Sequence, residues 1–242
     1  MTNEKFYIQI NGFDNEDYGF EIIKRPKIDF SVRRYTETEI KGHDGKYYIS
    51  ENTVDDISFT LECNFLEEQL NEYRERLREI DRWLKYTLEE DNKLVLSNDD
   101  EYYYKVIKYD INTIDYEEEF YEFNKFNIDF TVEGYKYKNS NKKVRVNINY
   151  RNPCDLSKPK YFIKGNGRCQ FNVNGSVVNC IVENELIIDT EHDKILLNNG
   201  TYAIGKTDIK HMQDLYLKHG RNDINITNGF ELSMIPNLRV RG

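Results

Sequence analysis

The chain has 242 residues, 38% of them hydrophobic, and a formal net charge of -9. This length and content can bury one large core or two smaller ones, so the chain is not expected to be disordered. The acidic balance argues against direct nucleic-acid binding, because phosphate contacts need clustered lysine and arginine. No run of about 18 apolar residues is present, so no membrane insertion is expected. The polar N-terminus lacks a signal-peptide core, which predicts that the chain stays in the cytoplasm where it is made.

The first half of the chain contains several segments in which apolar and polar residues alternate, as they do in β-strands. These segments are residues 6–10, 57–63, 93–96, 102–107 and 126–132. Asn11-Gly12 is a turn signal after the first of them. The one predicted helix covers about residues 66–90, where apolar residues recur every three or four positions. Strands, one helix and more strands predict an α+β or decorated all-β unit.

The second half follows a predicted linker at residues 136–141, which is rich in lysine, asparagine and serine. We therefore predict domains at residues 1–138 and 139–242. Short strand patterns recur at residues 144–150, 161–163, 171–173, 185–188, 194–197, 215–217, 223–226 and 230–234. Asn174-Gly175 is a strong hairpin signal, and Gly165-Asn166-Gly167 is predicted to form a turn. Many short strands with no helical pattern predict a β-sandwich.

No residue pattern indicates catalysis, so we expect no enzyme, no cofactor and no metal site. Asp189, Glu191 and Asp193 surround His192, but calcium-loop spacing is absent and a polar turn is favoured. A glycosidase with two distant carboxylates stays open, because such partners are far apart in sequence. Cys169 and Cys180 could face each other across a hairpin, although free thiols are favoured.

Residues 32–50 form a predicted long hairpin with few aliphatic side chains. Asp44-Gly45 is its turn signal. Tyrosine and arginine are enriched in protein interfaces, which makes the hairpin a candidate subunit interface. An ordinary surface hairpin explains these residues about equally well. The candidate interface residues are Arg33, Arg34, Tyr35, Asp44, Gly45, Tyr47 and Tyr48.

An ordered series of motifs resembles the distal tail protein family of long-tailed, non-contractile bacteriophages. In the first half the series consists of Asn11-Gly12, Asp44-Gly45 with Tyr47, the strand at residues 57–63, the helix and residues 99–103. In the second half it consists of Asn152-Pro153, residues 159–163, 165–167, 171–175, 187–190, 217–222 and 235–239. The resemblance thus covers nearly the whole chain.

The resemblance implies a mainly β fold, with an N-terminal β-barrel-like domain that carries one α-helix and a belt hairpin, and a C-terminal galectin-like β-sandwich. It implies a virion structural protein of the tail tip, or baseplate, made in the host bacterial cytoplasm. Residues 32–50 match the belt that embraces the neighbouring subunit. Two alternatives stay open besides the glycosidase: a carbohydrate-binding module, and another tail or baseplate component of a phage or phage-derived bacteriocin.

The implied partners are further copies of the chain in a homohexameric ring, the tail-tube protein, the tail-associated hub protein and, in many phages, a receptor-binding protein. DNA would pass through the channel of such a ring without being bound.

Overall fold

The computed structural model describes residues 5–66, 73–113, 125–146 and 149–242. Residues 67–72 of the predicted helix, the acidic residues 117–119 and residues 147–148 of a predicted strand lie outside this part. The chain divides into two compact units, Met1–Asn139 with Arg241–Gly242, and Ser140–Val240. The described ranges contain seventeen strands and one α-helix, so the mainly β fold class is confirmed.

The first unit is built on a large sheet with seven strands inside this unit. These strands are β1 (Ile8–Ile10), β2 (Phe13–Asp14), β3 (Phe20–Lys24), β6 (Ile57–Phe65), β7 (Lys93–Leu96), β8 (Tyr102–Thr113) and β9 (Lys125–Lys138). An eighth strand of the sheet, β17 (Arg239–Arg241), has only Arg241 in the first unit. The order along the sheet is β2-β1-β7-β8-β9-β6-β3, and β17 pairs with β9. Two further strands, β4 (Arg33–Glu39) and β5 (Lys46–Val54), form a separate two-stranded sheet.

The core of the first unit follows from the alternation in its longest strands. Every second side chain is buried in β6, and in β9 from Phe126 to Val132, and Phe59 lies directly opposite Phe130. Helix α1 (Tyr73–Glu90) packs its apolar side on this core through Ile80 and Trp83. The predicted amphipathic helix is thus confirmed over these residues. β9 continues to Lys138, through the first residues of the predicted linker.

The second unit is the predicted β-sandwich. Its strands are β10 (Val144–Arg145), β11 (Asn149–Asn152), β12 (Lys160–Val173), β13 (Ser176–Asp189), β14 (Lys194–Leu197), β15 (Gly220–Ile226) and β16 (Glu231–Ile235). Five strands run in the order β10-β16-β12-β13-β14, and β15 pairs with both β11 and β12. The predicted turn at Asn174-Gly175 joins β12 to β13, with both residues at positive φ, as this tight turn requires.

Two predictions for the second unit are wrong. Gly165-Asn166-Gly167 does not form a turn, because β12 runs through it without a break. Gly165 instead has a φ of 151°, and a Cβ there would overlap the ring of Phe230. Glycine is therefore required for close packing inside a continuous strand.

The second wrong prediction is the strand at residues 215–217. A 3₁₀ segment, Met212–Leu215, is followed there by an isolated bridge between Ser157 and Leu217. Both Leu215 and Leu217 are fully buried, so an irregular segment produces the same alternation of apolar residues as a strand.

Candidate assembly interface

The two-stranded sheet β4–β5, here called the belt hairpin, lacks a core of its own. Every residue of β4, and every residue of β5 except Val54, is exposed. Within the described residues the two strands pair only with each other, so both outer edges are free. An isolated two-stranded hairpin is marginally stable in water. Its side chains and free edges are therefore suited to contact with another molecule.

Both faces of the belt hairpin carry large apolar side chains. Residues opposite each other in a sheet share a face, and Tyr35 lies opposite Ser50 while Glu37 lies opposite Tyr48. Tyr35 and Tyr48 therefore share one face, where their rings meet edge to face at 6.5 Å. Tyr47 and Ile49 lie on the other face. A ribbon that is apolar on both faces can be covered from two sides at once.

The base of the belt hairpin is fixed to the first unit. The Asp55 amide donates a hydrogen bond to the Val32 carbonyl, which closes the base. Gly134 of β9 runs so close to this point that a Cβ there would overlap the Asp55 carbonyl oxygen and lie 2.6 Å from Val54 Cγ2. The glycine thus lets the backbone of β9 pass directly against the base.

The belt hairpin differs in net charge from the chain as a whole. Between residues 33 and 54 four basic and four acidic side chains cancel, whereas the whole chain has a net charge of -9. Lys46 Nζ lies 2.7 Å from Glu37 Oε2, and Arg34 Nε lies 2.5 Å from Asp55 Oδ1. The hydrogen bond to Asp55 raises the pKa of Arg34. A neutral hairpin avoids the repulsion that two acidic surfaces would cause.

The structure places all seven candidate interface residues in or between the two strands. Arg33, Arg34 and Tyr35 lie in β4, and Tyr47 and Tyr48 lie in β5. Asp44 and Gly45 belong to a six-residue connection, residues 40–45, between the two strands. Together these positions define the belt hairpin from its base to its tip.

The belt hairpin is longer than predicted, because β5 continues four residues past Ser50 to Val54. Sequence reasoning also missed Ile49, which is more exposed than Tyr35 or Tyr47. Ile49 could have been found from its spacing of two residues from Tyr47, which places both side chains on one face of the strand. No sequence pattern indicates the role of Gly134, because that role depends on contact with a distant segment.

The cluster around His192 is a structural turn. Asp189 is buried, its Oδ2 lies 3.1 Å from Lys160 Nζ, and its Oδ1 accepts hydrogen bonds from the amides of Glu191 and His192. Burial acts against ionisation, but the contacts with Lys160 and His192 prevail and lower the pKa of Asp189. The arrangement holds the turn between β13 and β14, as predicted.

Neither a metal site nor a membrane-spanning helix is found where the structure describes the chain. No three His, Cys, Asp or Glu side chains among those residues are grouped to hold a metal ion. No helix in the described part of the chain is long and apolar enough to cross a membrane.

Residues 13–132 match the family model of the phage tail protein RIFT-related domain. The chain carries a phage tail domain. The matched residues begin at β2 and include the belt hairpin, α1 and most of β9. The phage tail domain therefore contains the candidate interface.

The fold extends the likeness to the whole chain. The crystal structure of the SPP1 Dit protein, described as a paradigm of the hub adsorption apparatus in phages that infect Gram-positive bacteria, is similar with a TM-score of 0.63. The match covers 98% of this chain and 99% of that chain at 14% sequence identity, so it shows a shared fold. None of the curated proteins matches the sequence significantly.

These findings confirm the resemblance to distal tail proteins and the expected mainly β fold with a galectin-like domain. The chain is a phage tail structural protein with the fold of a distal tail protein. Its family and its fold are not those of a known class of enzyme.

Proposed function

We propose that the chain forms a ring of identical copies at the tip of the phage tail. The ring joins the tail-tube protein to the tail-associated hub and the host-recognition apparatus. The observation that carries this proposal is the belt hairpin, which has exposed apolar side chains on both faces and two edges that pair with no other described strand.

The exposed apolar area of the belt hairpin favours self-association. Burial of apolar area stabilises a contact by about 25 cal/mol per Å², and a marginal hairpin gains most from such burial. When one copy places its hairpin on a different surface of the next, the contact is head-to-tail, and such contacts form a ring where the rotation between copies closes. The resemblance to distal tail proteins supports six copies, with the hairpin embracing the neighbouring copy.

The surface chemistry supports a ring through which DNA moves. The net charge of -9 disfavours binding of phosphate groups. The neutral belt hairpin can pack on an acidic neighbour without strong repulsion. The tail-tube and hub proteins bind the two ends of this ring, and a receptor-binding protein is a further partner.

The solution mass of single-residue variants tests the self-association. Tyr48→Glu and Ile49→Glu each place a charge on one face of the belt hairpin. Tyr86→Glu is the matched control, because Tyr86 on α1 is 59% exposed and Tyr48 is 61% exposed. Light scattering over a concentration series should give a particle of about six times 29.0 kDa for the intact chain and the control. The two hairpin variants should stay single chains, and their assembly at the concentrations of the control would contradict the proposal.

The position in the tail is tested separately by co-purification. The chain is expressed with the tail-tube protein and the hub protein of the same phage. Retention of both, with loss of both on Tyr48→Glu, is expected for a ring between them. Stable binding to neither would contradict the proposed position and favour another tail or baseplate component.

A carbohydrate-binding module is the other candidate from the sequence. A depression of about 360 Å³ on the second unit has three polar residues, Gln170, Asn179 and Asp208, among its lining residues. Asn179 donates to Asp208 at 2.6 Å and Gln170 donates to Asn179 at 3.3 Å, so these groups partner each other. No aromatic side chain is among its lining residues. The depression therefore does not favour sugar binding over assembly.

A further inference from the structure

Two of the four cysteines lie directly opposite each other in the central hairpin of the second unit. Cys169 of β12 is the register partner of Cys180 of β13. Opposed residues in antiparallel strands have Cα atoms about 4.5–5.5 Å apart, within the range of about 4.4–6.8 Å that a disulfide spans. Both side chains point into the core, and their thiols are close enough to hydrogen-bond. A bond between the sulfurs therefore needs no change of strand register.

We propose that Cys169 and Cys180 are a reversible disulfide site, which closes when the protein meets a small thiol oxidant and then fastens β12 to β13. The proposal concerns the second unit alone and does not depend on ring assembly.

Neither of the other two cysteines lies opposite a cysteine in a strand pair. Cys63 of β6 lies opposite Ile22 of β3 and Phe126 of β9. Cys154 follows β11 and lies outside any strand pair. All four cysteines are buried, and none of them is in a disulfide. Cys63 and Cys154 therefore serve as internal controls for the opposed pair.

The surroundings slow the closure of the pair. The thiolate is the reactive form of cysteine, and burial raises the pKa of Cys180 to about 12. Burial also raises the pKa of Cys169. The thiolate fraction at neutral pH is therefore small, which keeps the pair reduced until a thiol oxidant is supplied.

The pair lies next to a depression of about 360 Å³, whose lining residues include both cysteines, Gly205 and Thr207. Both side chains are almost fully buried, so we expect an oxidant to reach the sulfurs from this depression only when the strands open locally. Oxidised glutathione is a suitable test reagent, because it supplies the electron acceptor for the step.

The reaction proceeds by two thiol–disulfide exchanges. One thiolate of the pair attacks one sulfur of oxidised glutathione, forms a mixed disulfide and releases one glutathione thiolate. The thiolate of the other cysteine then attacks the protein sulfur of the mixed disulfide and releases the second glutathione. The protein dithiol loses two electrons and two protons, and the glutathione disulfide is reduced to two molecules of glutathione.

The bond would add a covalent link to the β12–β13 ladder, which pairs residues 160–173 with residues 176–189 without a break. β14 covers the outer edge of β13 only at residues 186–189. Beside Cys180 this edge faces an irregular segment, through a bridge to Thr207 and hydrogen bonds that include those of the Ile181 amide to the Lys206 carbonyl at 2.8 Å and of the Asn179 amide to Asp208 Oδ1 at 2.8 Å. Closing the disulfide restrains β13 from its β12 side, and should slow amide exchange at residues 177–183.

The test uses the full chain, purified under reducing conditions and shown to be folded by circular dichroism. The protein is equilibrated with oxidised glutathione, quenched with acid, and studied by intact mass and peptide mapping. We expect a loss of two hydrogen atoms, protection of two of the four thiols from alkylation, and a link between residues 169 and 180. Reduction with dithiothreitol should restore four free thiols.

Matched variants make the result specific. Cys169→Ser and Cys180→Ser should each prevent the mass loss, whereas Cys63→Ser should not. Peptide mapping of the chain without substitutions shows whether residues 169 and 180 are linked, even if a variant fails to fold. The proposal would be overturned if the folded chain keeps four free thiols under conditions in which the urea-unfolded chain is oxidised. A glutathione adduct that is never resolved, or a link through Cys63 or Cys154, would overturn it equally.

Discussion

At the scale of single residues, buried polar groups hold the irregular segments of the second unit. The hydroxyl of Tyr161 donates to the Leu215 carbonyl at 2.8 Å, and burial raises the pKa of this tyrosine. The amide of Asn152 donates to the carbonyls of Asp155 and Leu217. Both residues lie in motifs that carried the family resemblance. These contacts fix the fold, so the motifs are explained without a catalytic role.

Replacing Tyr161 by phenylalanine removes one buried hydrogen bond and little volume. The Leu215 carbonyl then lacks its partner, which should lower the free energy of unfolding by about 1–3 kcal/mol. Urea unfolding followed by circular dichroism measures the change. Tyr202→Phe is the control, because Tyr202 is exposed and should change stability by less than about 0.5 kcal/mol. Equal effects of the two substitutions would contradict this role of the Tyr161 hydroxyl.

Asp189→Asn should destabilise the second unit in a pH-dependent way. The folded state lowers the pKa of Asp189, so its stabilisation is present above the unfolded value of about 3.9 and is lost as the pH falls through the folded pKa. The variant should therefore be less stable near neutral pH, by about 1–3 kcal/mol, with the gap closing only below about pH 4. Thermal unfolding across this pH range measures the gap.

The control for this prediction is Asp193→Asn in the same turn. Asp193 is exposed and has a positive φ of 52°, which asparagine tolerates. This variant removes the same charge without removing the buried contacts of Asp189. A pH-independent loss in Asp189→Asn, or an equal loss in both variants, would count against the ion-pair account.

At the scale of elements, the sequence predicted those strands whose own alternation decides their burial. The strands β6 and β9 could be predicted because alternate residues of each are buried in the same core. The break at Gly165 was wrongly predicted, since its reason is the ring of Phe230, a distant residue. The strand prediction at residues 215–217 is wrong because burial on alternate residues also occurs in irregular chain. Local pattern therefore fails where distant contacts decide the backbone.

Gly134→Ala should loosen the base of the belt hairpin. The new methyl group would overlap the Asp55 carbonyl, so β9 and the base must separate, at a cost of about 1–3 kcal/mol. Limited proteolysis should then cut residues 33–54 faster than in the unchanged chain, whereas the second unit stays intact. Unchanged cleavage together with unchanged unfolding would show that the close approach is not needed.

At the scale of the whole molecule, the sequence located the candidate interface but not its form. Tyrosines, arginines and a turn signal pointed to residues 32–50. The exposure of both faces and the unpaired edges could not be predicted. Both depend on the fact that no other described strand pairs with the hairpin, which is a property of the folded chain. The phage tail domain and the distal-tail fold then give this exposed element a place in an assembly.

The central claim is that the belt hairpin of one copy contacts another copy, and mixed-isotope crosslinking tests it most directly. Unlabelled chains and chains labelled with heavy nitrogen are mixed as monomers, assembled and treated with an amine-reactive crosslinker. Lys41 and Lys46 report on the hairpin, since both are exposed. We predict that hairpin peptides link to peptides of the other isotope as often as to those of their own. Links confined to the same isotope would contradict the claim, because the hairpin would then pack only on its own chain.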